Sequence, residues 1–260
     1  MDVNKYLERI DVHAEIKPDL ETLHLLHRSH LYNVPFENLD IHSGRKIILE
    51  DGKLLHKIIN EKRGGFCYEL NGAFYALLKA VGFNVKRISA GVYENENGFS
   101  PDFDHMALIV KAGDEEYLAD VGFGDSFIDP LKFKAGEIQK DKGGFFKISE
   151  PEDDGYYILY RSSDGKGFTP QYKFSLISRE LHEYNTMCEY HQTSPASHFM
   201  QKIICSKATE SGRISLSDLK LIITSEREKD QKIISEDEFY SLLKSRFNIS
   251  LQKKVRFPSN

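Results

Sequence analysis

The stretch DHMALIVKAGDEEYLADVGFG, residues 104–124, reads as two alternating strands, 105–110 and 117–123, joined by a turn around Ala112, Gly113 and Asp114. Two registers are open. A loop of Ala112 and Gly113 pairs residue 105 with 120, and a loop of 112–115 pairs residue 107 with 120. The registers differ by two residues, so either one puts His105 and Asp120 on the same face, with Cβ atoms about 4.5–8 Å apart. A carboxylate at that distance can hold one imidazole nitrogen. Asp120, flanked by YLA and VGFG in what reads as a core strand, needs such a partner once buried.

Outward from this hairpin the period-2 pattern continues. NVKRISAGVY, GFFKISE, GYYILYR and QYKFSLIS read as strands, with EPEDDG and SSDGKG as hairpin connections, so the middle third is antiparallel β. The first third is helical: DLETLHLLHRSHLYNV and LEDGKLLHKIINEK place leucines and isoleucines at three- and four-residue steps, and VPFENLDIHSG between them reads as a loop. From about Glu189 the pattern is mixed, closing on a helix in SEDEFYSLLKSRFNI that opens with a Ser/Asp/Glu start signal. The charge run EREKD, 226–230, reads as a solvated turn.

The chain of 260 residues is long enough for one large or two to three small domains. A net charge of -5 shows no basic excess, which argues against a phosphate-tracking nucleic-acid surface, although a local basic patch could hold a small anionic cofactor. No segment reaches the roughly 18 apolar residues of a spanning helix, and the first residues carry scattered charges and no apolar signal core. A cytoplasmic protein is expected. Cys67, Cys188 and Cys205 form an odd set without metal-ligand spacing, so free thiols and no structural metal are expected.

One cysteine is placed unusually. In RGGFCYELN, 63–71, Cys67 follows two glycines and an aromatic. From it, Leu70, Phe74, Leu77, Leu78 and Val81 recur at helical steps, with Gly82 as the residue after the helix. Cys67 therefore starts a buried helix, where first-turn N–H groups favour a thiolate and offer donors to an oxyanion. Plain core packing explains the segment equally well. A thiol nucleophile needs a base, and the base an orienting acceptor. Cys67, His105 and Asp120 supply those roles in the order found in papain-like thiol chemistry.

The motifs VPFENL (34–39), RGGFCYELN, DHMALIV, YLADVGFG, YHQTSPASHF (190–199) and FNISLQKKV (247–255) resemble those of arylamine N-acetyltransferases, in the same order across almost the whole chain. The resemblance implies an α+β fold with papain-like placement of the cysteine. It consists of a helical bundle (1–83) carrying the nucleophile, an antiparallel β-barrel-like domain (84–188) carrying His105 and Asp120, and an α/β lid (189–260). It also implies acetylation of Cys67 by acetyl-CoA, with His105 as base and Asp120 orienting it, and transfer to an arylamine, hydrazine or arylhydroxylamine without a metal. Gly122, Gly124 and Thr193 would contact coenzyme A, and Phe36 and Phe123 would line the acceptor pocket. Arg63 and Glu37 are expected as a structural pair that fixes the cysteine loop. An amide synthase, or a thiol hydrolase of transglutaminase type, would use the same three residues. A binding module with a degenerate triad is disfavoured because all three are intact. The acceptor, the preferred acyl chain and the oligomeric state are not legible.

Overall fold

The computed structural model describes residues 1–225 and 228–258. Helix α1 (Val3–Arg9) is capped by the Asp2 carboxylate and α2 (Leu20–Asn33) by that of Asp19, which accept from the N–H groups of Lys5 and Thr22. The expected loop VPFENLDIHSG instead holds a short strand, β1 (Phe36–Glu37), and a short helix, α3 (Leu39–Ser43). Two contacts produce them. The Glu37 carboxylate accepts the Leu39 N–H at 2.8 Å, and β1 pairs with a strand some 170 residues later, beyond the reach of any local pattern. Helix α4 (Asp51–Leu55) runs into one π-helical turn (His56–Asn60), and α5 (Cys67–Val81) ends at Gly82 as its apolar spacing predicts.

The middle of the chain forms β2 (Asn84–Val92), β3 (His105–Ala112), β4 (Glu115–Ala119), β5 (Leu131–Lys132), β6 (Ile138–Asp141), β7 (Gly144–Ile148), β8 (Tyr157–Ser162) and β9 (Thr169–Phe174). These make one antiparallel sheet in the order β5-β4-β3-β2-β9-β8-β7-β6. Gln139 ties the two edges together: its amide donates to the Lys132 carbonyl and accepts the Lys132 N–H, both at 2.8 Å, so the sheet is nearly closed. Closure of this kind removes the unpaired edges of an open sheet.

Helices α6 (Asn185–Thr193) and α7 (His198–Gln201) lead into β10 (Ile204–Thr209), β11 (Gly212–Ser217), β12 (Lys220–Ser225) and β13 (Lys229–Ile233), and α8 (Glu236–Phe247) follows. The second sheet runs β1-β10-β11-β12-β13. At the start of α8, Ser235 and Glu238 accept each other's backbone N–H, as the sequence signal predicts. In the run EREKD, Glu226 and Arg227 lie outside the described residues, while Lys229 and Asp230 are exposed at the start of β13.

Strand β3 is buried on both faces and separates two cores. Met106, Leu108 and Val110 pack toward α5 and its neighbours, whereas Ala107 and Ile109 face the barrel interior with Leu118, Phe146 and Phe174. A third core, including Ile203, Leu216, Phe239 and Phe247, joins the second sheet to α8. Because α5 lies against the outer face of β3, the first residue of the helix comes to the end of the strand at which His105 begins.

Candidate active site

The start of α5 is set by a tight chain crossing. A Cβ on Gly64 would fall on the Pro35 carbonyl oxygen, and the Gly65 carbonyl accepts the Glu37 N–H at 2.9 Å. Below this crossing lies a buried charge cluster. Arg63 Nη2 is 2.7 Å from Glu37 and 2.8 Å from Asp40, and Lys57 is 2.9 Å from Asp40 and 2.7 Å from Glu69. Three carboxylates meet two buried cations here. Burial and the neighbouring Asp40 and Glu37 charges push Glu69 up to about 7 despite Lys57, and Glu69 still accepts the Phe66 N–H at 3.2 Å. The expected Arg63–Glu37 pair is thus part of a larger network anchoring the cysteine loop.

Cys67 is 3 % exposed, and its Sγ lies 4.0 Å from the carbonyl oxygen of Asp104, the residue before His105. Tyr68 donates to the same Asp104 carbonyl at 3.0 Å and to that of Phe103 at 2.7 Å, clamping the loop that leads into β3. Burial pushes the thiol well above its ordinary range, the Asp104 carboxylate adds to this, and a hydrogen bond from the Met106 N–H opposes it. Burial thus opposes the helix-start N–H groups that the sequence offers to a thiolate. A thiol so buried needs a base to take its proton.

His105 and Asp120 are together: Nε2 donates to Oδ2 at 2.7 Å, both residues being buried. The pairing Leu108↔Ala119 sets Asp120 opposite residue 107, so His105 is its diagonal neighbour. Burial alone would raise the Asp120 carboxyl. The His105 charge and hydrogen bond, with hydrogen bonds from Asn71 and the Gly122 N–H, bring it below the usual carboxylate range. The Asp120 contact takes Nε2 and leaves Nδ1 as the nitrogen available to a thiol.

Three residues that support this couple are absent from the expected set. Asn71, one turn beyond Cys67 on α5, donates to Asp120 Oδ1 at 2.9 Å and to the Met106 carbonyl at 2.5 Å. His27 accepts the Asp120 N–H at 3.0 Å through Nε2, while its Nδ1 donates to the Ile128 carbonyl at 2.7 Å, which fixes a neutral tautomer. Tyr172 lies against His105 with ring centroids 5.2 Å apart, and burial beside the Asp120 charge holds its phenol well above the ordinary range. Only Asn71 left a signal in the sequence: an amide on the apolar face of a buried helix must find partners.

The remaining expected residues divide into two groups. A Cβ on Gly122 would come within 2.8 Å of Cys67 Cα and 2.6 Å of the Asn71 amide, so this glycine lets the Asp120 strand end touch the cysteine. Gly124 faces the Phe36 ring, which neighbours Phe199 at 6.1 Å between centroids. β4 ends at Ala119, and the turn after Asp120 brings Phe123 back edge-on to His105 at 5.1 Å, where a regular strand would have pointed it away. Thr193 is exposed at the end of α6, its hydroxyl donating to the Glu189 carbonyl at 2.7 Å. No contact among the described residues joins it to Cys67, His105 or Asp120.

A family model described as N-acetyltransferase matches residues 19–256, and an arylamine N-acetyltransferase, pineal gland isozyme, of Gallus gallus is 34 % identical over 98 % of this chain and 96 % of its own. The chain belongs to the arylamine N-acetyltransferase family. It is therefore an acyltransferase. The arylamine N-acetyltransferase of Salmonella typhimurium superposes with a TM-score of 0.90 at 26 % identity, covering 98 % of this chain and 94 % of that one. A Bacillus cereus arylamine N-acetyltransferase, described as having a Cys-His-Glu catalytic triad, superposes with a TM-score of 0.89 at 29 % identity, covering 96 % of this chain and 100 % of that one. In the present arylamine N-acetyltransferase fold the carboxylate against the histidine is an aspartate.

Proposed function

We propose that this chain transfers acetyl groups from acetyl-CoA to aromatic amines through an acetyl-Cys67 intermediate. The reading is carried by the buried His105–Asp120 couple at 2.7 Å, held at the start of the helix that Cys67 opens. His105 Nδ1 takes the Cys67 proton as sulfur attacks the thioester carbonyl. The tetrahedral oxyanion is met by the Cys67 N–H, which at the first helical position has no acceptor within the helix, and by one neighbouring amide. Coenzyme A leaves with the proton returned by His105. An arylamine, neutral near pH 7, then attacks the acetyl carbonyl and releases Cys67, and hydrazines and arylhydroxylamines fit the same step. No step calls for a metal.

In this reading residues 1–83 supply the nucleophile, 84–188 the base and its orienter, and 189–260 a lid. Gly122, Gly124 and Thr193 are assigned to coenzyme A, and Phe36 and Phe123 to the flat face of the amine. Detoxifying acylation in the cytoplasm suits such chemistry. Mass spectrometry after incubation with acetyl-CoA alone tests it: one acetyl group on Cys67 is expected, with parallel-line kinetics when donor and acceptor are varied. Intersecting lines and no covalent adduct would sink the double-displacement scheme. Acyl release to water as fast as to an amine would favour the hydrolase.

A further inference from the structure

Two guanidinium groups from different sheets converge on one carboxylate just beyond the site. Arg161 of β8 places Nη1 3.2 Å from Asp125 Oδ2 and donates to the Asp125 carbonyl at 3.2 Å, while its Nε donates to the Gly143 carbonyl at 2.9 Å. Arg213 of β11 places Nε 3.5 Å from Asp125 Oδ1 and donates through Nη1 to Ser206 Oγ at 2.9 Å. Ser206 is the β10 residue paired with Phe36. The Asp125 side chain is 63 % exposed, whereas those of Arg213 and Arg161 are 14 % and 28 % exposed. The cations are thus held in place and the anion is the loose member. One carboxylate faces two arginines, which leaves a positive charge over. The carboxylate of Asp141, on the neighbouring turn, is taken up by the N–H groups of Ile128, Asp129 and Gly143. Close by in the chain, the Ser126 hydroxyl is buried without a partner among the described residues.

We propose that Arg161 and Arg213 form a phosphate subsite for the donor thioester, with the exposed Asp125 carboxylate as the resident anion that the phosphate replaces. The inference rests on acetyl-CoA being the donor. Gly122 touches Cys67 and Asp125 follows three residues later, so the carboxylate's backbone lies within about 15 Å of the cysteine. A phosphate subsite has to stand off in this way, because the pantetheine arm separates the acyl sulfur from the phosphates. Guanidinium is the group suited to bidentate phosphate recognition, and two of them bridging barrel and second sheet would also register the donor across that junction.

The test is titration calorimetry of coenzyme A against pantetheine, which shares the arm and lacks the phosphates. The wild type should bind coenzyme A at least tenfold more tightly. In Arg161→Gln and Arg213→Gln that gap should shrink to within about twofold, since each hydrogen bond to a charged group contributes a factor on this scale. Arg161→Lys and Arg213→Lys, which keep the charge, should retain part of it. In the wild type alone the gap should narrow as sodium chloride rises. An equal gap in wild type and both glutamine variants, or one indifferent to salt, would overturn the subsite and leave the arginines as a clamp. Failure of the acetyl-transfer reading would show separately, as the absence of acetyl-Cys67 in a protein that still distinguishes coenzyme A from pantetheine.

Discussion

Asn71 donates to Asp120 Oδ1 at 2.9 Å and accepts the Val121 N–H at 3.0 Å, so the residue one turn past the cysteine fixes the carboxylate that faces His105. The nucleophile's helix and the base's hairpin are thereby locked to each other by a single amide. Leucine at 71 keeps the branched outline of the side chain and removes these bonds together with the one to the Met106 carbonyl. Asn71→Leu should lower the rate of Cys67 acetylation about 10- to 100-fold, as small displacements of catalytic groups do. A purely structural role predicts no change in pH dependence. Here the Asp120 carboxyl loses one of the bonds that depress it, so the acid limb of the pH–rate profile should move to higher pH.

Asp120→Asn keeps the shape and removes the charge that favours the His105 imidazolium. It also offers an N–H where Nε2–H needs an acceptor, which selects the wrong tautomer. A loss of about 100-fold or more in acetylation is expected, by comparison with the same change in serine triads. A variant with unchanged circular dichroism and near wild-type rate would refute the assigned roles.

The parts of this site visible in the sequence are those with local or period-2 causes. α5 shows through its apolar spacing from Cys67 to Gly82, and the His105–Asp120 contact through alternation, since both open registers leave the two residues on one face. β1 and α3 do not show, because Phe36 pairs with Ser206 across the chain. Nor does Tyr172, which reaches His105 from β9, a strand whose place in the sheet no local pattern specifies. The push that burial gives the Cys67 thiol does not show for a related reason: helix start and glycines are local, whereas burial is the sum of everything packed around them.

Alkylation separates the three thiols. All are buried; burial raises Cys188 to about 12 and Cys205 well above its ordinary range. Gly122 packs the Asp120 strand end onto Cys67 and so brings the His105–Asp120 couple to this thiol; iodoacetamide should therefore modify it fastest, and acetyl-CoA should protect it. In His105→Ala its rate should fall toward those of Cys188 and Cys205, because burial then acts on the thiol unopposed. Equal rates for all three thiols in the wild type would mean that Cys67 has no working base.

The last prediction concerns the packing behind the site. His30 is fully buried between Tyr6 and Phe74, at 6.0 and 5.4 Å between ring centroids, and neither of its nitrogens has a partner among the described residues. Burial holds its pKa well below the ordinary imidazole value, with the Arg9 charge acting in the same direction, and burial also lowers His27. The folded state therefore binds fewer protons than the unfolded chain once pH drops below the unfolded histidine value of about 6.5. Stability is fully present above that pH and is lost as pH falls through it, with a limiting slope of about 1.4 kcal/mol per pH unit for each such histidine. His30→Leu removes one titrating group and an unsatisfied buried pair of nitrogens at nearly constant volume. It should raise stability by about 1–3 kcal/mol at pH 7.5 and reduce the loss between pH 6.5 and 5. Urea unfolding of both proteins at those pH values measures this. A leucine variant that is no more stable, with an unchanged acid slope, would show that His30 is hydrogen-bonded in solution.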